Sequence, residues 1–325
     1  MNHDLLISAD QLQALIASKQ EMMIFDCTFD LTQPHAGEQQ YLASHIPGAV
    51  YANLDTDLSA KHGAGLLGSD ANFTAMQSIA PQGRAEGVVN LDSDPKNPAH
   101  GEDSPASGGR HPLPNREKFA EWLSNVGFAN NMQAVVYDRN GANYCGRLWW
   151  MLKWAGHINV AVLDGGLQAW TAAGGALASG VEAAHFQSSY ALAPELAALV
   201  ATKTVADNLG RPAQTLIDAR GAQRFRGEIE PLDPVAGHIP GALNRPFGQN
   251  MQPDGRFKPS AELKAEFEAL LAGRDAATVV HHCGSGVSAV PNILAMRIAG
   301  LGMTGLYAGS WSDWCSDTSR PMAQG

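Results

Sequence analysis

The sequence predicts an α/β protein made of two similar domains, each a mainly parallel sheet flanked by helices on both faces. Three observations predict it. Short β-branched runs such as Thr215-Leu216-Ile217 and Thr278-Val279-Val280 alternate with helical patterns such as Ala261 to Leu271 and Phe119 to Val126, which is how crossover-connected parallel strands read. Short motifs recur at nearly constant displacement along the chain. A length of 325 residues suffices for about two domains, each able to bury its own core.

In chain order, the first copy spans residues 1–175. Its Asp26 recurs as Asp218, and His45-Ile46-Pro47-Gly48-Ala49 recurs as His238-Ile239-Pro240-Gly241-Ala242, displacements of 192 and 193 residues. Farther along, Val135-Val136 matches Val279-Val280, Gly165 matches Gly309 and Trp170 matches Trp314, each displaced by 144. The difference between 192 and 144 is an insertion of 48 residues in the first copy. Residues 60–110 hold it: they are rich in Gly, Ser, Asp and Pro around a short helix near Ala71 to Ile79, and read as a surface excursion. Ala172 to Ser189 is Ala/Gly/Ser-rich without strong periodicity, so residues 176–197 are read as a linker and 198–325 as the second copy.

The net charge of −10 argues against nucleic acid or an anionic membrane as partner, since both demand a basic surface. No apolar run has the length of a membrane span, and Met1 to Ile7 lacks the basic and apolar regions of a leader, so a cytoplasmic protein is expected. Four widely spaced cysteines, at 27, 145, 283 and 315, contain no C-x-x-C pair, which disfavours a disulfide framework or structural zinc. His281 and His282 precede Cys283, but successive strand residues face opposite ways, so only one shares its face. No metal is expected.

The segment Val279-Val280-His281-His282-Cys283-Gly284-Ser285-Gly286-Val287-Ser288-Ala289 reads as strand, tight turn and the start of a helix over Val290 to Ala299. The first amides of a helix have no internal partners, and a Gly-Ser-Gly loop can turn further N–H groups inward. Such a cradle favours thiolate over thiol at Cys283. Ligands of parallel sheets sit at the strands' carboxyl ends, where Cys283 falls. The displacement of 144 carries Cys283 onto Arg139, so the first copy has no nucleophile there, and Cys145 matches Ala289, a packing position.

This loop resembles the active-site loop of the rhodanese-like sulfurtransferases, and its C-G-S-G-V-[ST]-A form is similar to the 3-mercaptopyruvate branch. Asp218-Ala219-Arg220 with Arg224-Phe225-Arg226-Gly227, Gly237 to Ala242, and the terminal Tyr307-Ala308-Gly309-Ser310-Trp311-Ser312-Asp313-Trp314 resemble further blocks of that family. The resemblance covers nearly the whole chain apart from the insertion. It implies a tandem protein with an inactive first domain and a catalytic second one. Sulfur would pass from 3-mercaptopyruvate or thiosulfate, through a Cys283 persulfide held by the amides of Gly284, Ser285, Gly286, Val287 and Ser288, to a thiol such as thioredoxin's or to cyanide, with no cofactor.

The family's substrate-carboxylate arginine maps onto Arg224, whose planar fork suits two oxygens at once; an ion pair to Asp218 or Glu228 is the structural alternative. Arg220 is left to a structural role. A second family arginine, nine residues on, has no counterpart: residues 227–234 hold none. Arg226 or a first-domain arginine replaces it, or the preferred donor is not mercaptopyruvate. Ser285 and His45 match residues proposed to assist proton transfer, although His238 occupies the equivalent turn in the other copy. Phe29, Tyr137 and Phe247 match positions that wall the family's pocket. A phosphatase of the same fold needs an arginine six residues after the cysteine, where this chain has Ala289. A non-enzymatic persulfide carrier or interaction module is the other reading.

Overall fold

The apolar runs of each copy become the strands of a separate parallel sheet, seen in a computed structural model that describes residues 3–60 and 106–325. The short helix expected near Ala71 to Ile79 lies outside the described residues. The first sheet contains β1 (Leu6–Ile7), β2 (Met22–Asp26), β3 (Val50–Tyr51), β4 (Gln133–Tyr137) and β5 (Val160–Leu163), in the order β1-β5-β4-β2-β3. The second contains β6 (Thr215–Asp218), β7 (Leu243–Asn244), β8 (Val279–His282) and β9 (Gly305–Leu306), in the order β7-β6-β8-β9. Read in reverse, β9-β8-β6-β7 repeats β5-β4-β2-β3. Where β1 would lie, Leu199 makes a single parallel bridge to Leu306.

Every residue of β4 and β8 is buried, as central parallel strands covered on both faces require. Both expected helices are present with earlier starts, Arg116–Asn125 and Ser260–Leu271. Asn115 caps the first, its side chain accepting the Lys118 N–H at 2.7 Å. The second buries Leu263, Phe267 and Leu271, spaced four apart on one face.

The two sheets share one core cluster, and each also packs a cluster of its own. All ten residues of the helix Cys145–Trp154 are buried, and it packs against the helix Val290–Ile298 of the second copy. A continuous apolar cluster joins Leu148, Trp150 and Met151 to Val290, Ile293 and Leu294. Gly146 permits this approach, since a Cβ there would already meet Val290 Cγ1 at 3.3 Å. A seam this apolar ties the copies together rather than letting them swing. Residues 176–197 lie against the first copy without helix or strand, through bonds such as Ser188 Oγ to Phe128 O at 2.6 Å and Leu196 N to Lys153 O at 2.9 Å. Among the described residues, no helix is long and apolar enough to cross a membrane.

Within β8, His281 is wholly buried, its Nε2 3.2 Å from Met296 Sδ and its Nδ1 without a partner among the described residues. Burial pushes its pKa down to about 3. The native state therefore keeps it neutral, whereas the unfolded chain protonates it below about pH 6.5. Its contribution is intact above that pH and is lost as pH falls toward about 3, at about 1.4 kcal/mol per unit. His281→Leu is expected to flatten the acid limb of stability by that slope; identical slopes in urea-midpoint series for both proteins would refute this.

Candidate active site

The loop after β8 emerges at the seam between the copies. Its carbonyls are held from outside: Trp311 N–H donates to Cys283 O at 3.0 Å and Ser312 N–H to Gly284 O at 2.9 Å. Cys283 N–H donates to Ser310 Oγ at 3.0 Å. Among the described residues, none accepts from the backbone N–H groups of Gly284, Ser285, Gly286, Val287 or Ser288. The sequence Gly-Ser-Gly allows this turn because Gly286 has φ +76° and passes close beneath the Ala308 backbone. The helix Val290–Ile298 begins just beyond, adding the positive end of its dipole. Cys283 is only 2 % exposed.

The first copy shows what the same turn does when its own chain fills it. The Asp138 carboxylate, at the place of His282, accepts N–H groups from Asn140 (2.8 Å), Ala142 (3.1 Å), Tyr144 (2.8 Å) and Cys145 (2.9 Å). Arg139, at the place of Cys283, points back into its domain, with Nη1 2.7 Å from Thr28 Oγ1 and 3.4 Å from Asp26 Oδ2. An anion therefore occupies the turn in one copy, and the matching amides have no acceptor among the described residues in the other. Burial raises the Cys145 thiol well above its ordinary value, with Asp138 adding to the effect; Cys27 is raised likewise, and Cys315 to about 11.

First-copy residues that the sequence reading did not single out reach the loop, among them His111, with Asp55 behind it, and Arg110. His111 Nδ1 lies 2.7 Å from Ser285 Oγ, and its Nε2 lies 3.4 Å from Asp55 Oδ1. Desolvation, partly opposed by Asp55, lowers the His111 pKa, so the ring is neutral near pH 7. With Nε2–H turned to Asp55, Nδ1 accepts the Ser285 hydroxyl proton. Arg110 comes from the same strand of chain, anchored by its N–H to Ser312 Oγ at 3.0 Å. A Cβ on Gly284 would meet Arg110 Nη2 at 3.1 Å and Arg224 Nη2 and Nη1 at 3.5 and 3.6 Å. The two guanidiniums, 28 % and 19 % exposed, thus stand side by side over the loop. Asp233 bridges them, pairing with Arg110 Nη1 and with Arg224 Nη2 at 3.2 Å, while Glu230 holds Arg224 at 2.6 Å.

Other expected site residues are placed differently. His45 does not meet the loop: it is buried in its turn, donates from Nδ1 to Tyr41 O at 2.8 Å, stacks on Tyr41 and faces Glu182 at 3.2 Å. His238 repeats that arrangement with Phe225 O at 2.8 Å, so both histidines brace equivalent turns. Tyr137 lies in the first copy's own core, its hydroxyl accepting Ile46 N–H at 3.0 Å. Phe29 meets Tyr144 edge-on within the shared cluster that also contains Cys283 and Val287. Phe247 packs on that cluster beside the end of β6, its N–H donating to Ala219 O at 3.1 Å. Arg220 is tied to Asp218 at 2.7 Å and Glu230 at 3.2 Å. Arg224 pairs with Glu230 and Asp233 rather than Asp218 or Glu228, and Arg226 points outward to Glu228.

His111 and Arg110 carried a signal in Arg110-His111-Pro112-Leu113-Pro114, where the chain leaves the insertion; reading residues 60–110 as an excursion hid it. Among the described residues, no group of three or more His, Cys, Asp or Glu side chains is arranged to hold a metal ion.

Fold and site define a two-domain α/β protein with a cysteine and an open amide cradle at the domain seam. The model of the rhodanese-like domain matches residues 8–173 and again 201–317. A Pseudomonas aeruginosa protein named a probable 3-mercaptopyruvate sulfurtransferase is 39% identical over 321 residues, 98% of each chain. An Arabidopsis thaliana protein named thiosulfate/3-mercaptopyruvate sulfurtransferase 2 is 32% identical, covering 87% of this chain and 76% of its own. The crystal structure of SseA from Escherichia coli, described as a 3-mercaptopyruvate sulfurtransferase fold, superposes with a TM-score of 0.69 at 27% identity, over 95% of this chain and 100% of that one. The chain belongs to the rhodanese family of sulfurtransferases.

Proposed function

We propose that this sulfurtransferase carries sulfur on Cys283 by double displacement, from 3-mercaptopyruvate or thiosulfate to a thiol acceptor such as thioredoxin's, or to cyanide. One observation carries the reading: the turn filled by Asp138 in the first copy is open to an anion in the second, immediately after a cysteine. A cysteine persulfide is such an anion.

With mercaptopyruvate, the Cys283 thiolate attacks the donor sulfur and the carbon–sulfur bond breaks. Its electron pair leaves on the enolate of pyruvate, and the donor's own S–H proton, relayed by Ser285 and neutral His111, ends on that carbon and leaves the persulfide as an anion. With thiosulfate the sulfur–sulfur bond breaks and sulfite leaves. An acceptor thiolate then attacks the outer sulfur and restores Cys283. Arg224 and Arg110 grip the donor's carboxylate, with Arg110 replacing the family's missing second arginine from the other domain. Asp233 and Glu230 hold the pair in place. All four cysteines are unpaired, which suits the proposed cytoplasmic setting.

Incubation with either donor is expected to yield a species one sulfur atom heavier by intact mass, returned to the original mass by cyanide. No such species with both donors would sink this reading and favour an interaction module. Arg110→Gln and Arg224→Gln should each raise KM for mercaptopyruvate about tenfold or more, with a smaller change in kcat, since each removes a charge-assisted bond to the donor. Unchanged KM in the Arg110 variant would remove that residue from the site.

A further inference from the structure

We propose that Arg147, on the helix Cys145–Trp154 of the first domain, is the counter-cation of the Cys283 sulfur in the second, holding it as an anion both before and after it takes up the transferred atom. This makes Arg147 a positioning residue for the reaction, and it rests on Cys283 being the sulfur carrier. Its guanidinium is wholly buried. Among the described residues it donates to backbone carbonyls alone: Nη1 to Gly286 O at 3.3 Å, Nη2 to Leu58 O at 3.3 Å and to His111 O at 3.0 Å. Its Nε has no partner among the described residues.

Other buried arginines have carboxylates. Arg220 has Asp218 and Glu230, and Arg245 has Glu266 at 2.6 Å. Among the described residues, no carboxylate pairs with Arg147. A buried cation with only carbonyl partners is costly and needs an anion nearby. Burial lowers the Arg147 pKa to about 10, and among the described residues Cys283 opposes the drop.

The remaining charges near Cys283 are already matched. Arg220, which also feels the sulfur, is neutralised by Asp218 and Glu230. Arg110 and Arg224 are partly exposed and tied to Asp233 and Glu230. His111, behind Ser285, and His282, next in the chain, have lowered pKa values through burial. Pro291 stands at the place equivalent to Arg147 in the second copy, so this cation is not a feature of the repeat. The copy without a nucleophile supplies it, through a carbonyl of the very loop it serves.

The test is the pH profile of Cys283 alkylation by iodoacetamide in the full chain, with Cys283→Ala as the background for the other thiols. Arg147→Gln should move the profile to higher pH, slowing alkylation at neutral pH about tenfold or more while leaving it alike at high pH, and Arg147→Lys should restore most of the rate. In the wild type, a cation sealed in protein should leave the rate within about twofold from roughly 0.05 to 1 M salt, because solvent ions screen it little. A folded Arg147→Gln protein with the wild-type profile overturns the proposal. If that variant does not fold, a wild-type rate that falls several-fold with salt overturns it instead. Alkylation is read without a donor, so absence of a persulfide with both donors would sink the proposed function and not this measurement.

Discussion

Cys283→Ala is expected to abolish sulfur transfer from both donors, a loss of about a thousandfold or more, while Cys145→Ala stays within about twofold of wild type. The contrast follows from two turns of the same design. Cys145 begins a helix after a turn whose amides already bind the Asp138 carboxylate, and its own N–H is one of the donors, at 2.9 Å. Burial and that neighbouring carboxylate both disfavour its thiolate. Cys283 is followed instead by amides that have no acceptor among the described residues, and Arg110 and Arg224 stand over its loop. Steady-state release of pyruvate and of sulfite measures both variants. Comparable losses in the two would mean that the active copy has been misassigned.

Gly286→Ala is expected to be nearly as damaging, by geometry alone. At φ +76° an L side chain is strained, and its Cβ would lie 2.8 Å from the Ala308 Cα, with no flexible side chain to give way. Either the loop or the strand end beside it must shift, so activity should fall about a hundredfold and stability by about 2–4 kcal/mol. Gly284→Ala is the control. Its added Cβ meets the mobile end of Arg110 at 3.1 Å, and it should chiefly raise KM. Urea midpoints and donor kinetics on both variants decide the matter; a Gly286→Ala protein of normal stability and rate would show that the cradle's shape is not needed.

Much of the protein was legible from residue patterns. The displacement of 144 between Val135-Val136 and Val279-Val280 reappears as two central strands with the same neighbours, and the preference for Cys283 over Cys145 came from the same alignment of copies. Both depend on local signals, since β-branched runs, small-residue turns and helix starts are written in adjacent residues. His45 was read into the site from resemblance, yet its turn uses the ring to hold Tyr41, as His238 uses its own to hold Phe225. Tyr137 was read as pocket wall, whereas its position in β4 sends it into the first domain's core.

The residues that meet the loop from the other domain left only faint marks in the chain. Arg147 sits in a helical run whose only other charged residue is Lys153; His111 and Arg110 close a stretch that reads as excursion; and Asp55 is one acidic residue among several. Residue order by itself determined the repeat, the parallel sheets and the cysteine at a strand end, because each of these is set by neighbours within a few positions. Only the packing of the helix Cys145–Trp154 on Val290–Ile298 decided which distant side chains share the seam with that cysteine. Contacts across 174 residues, such as Ser285 with His111, are fixed by how two buried faces fit, and that fit has no period along the chain to read.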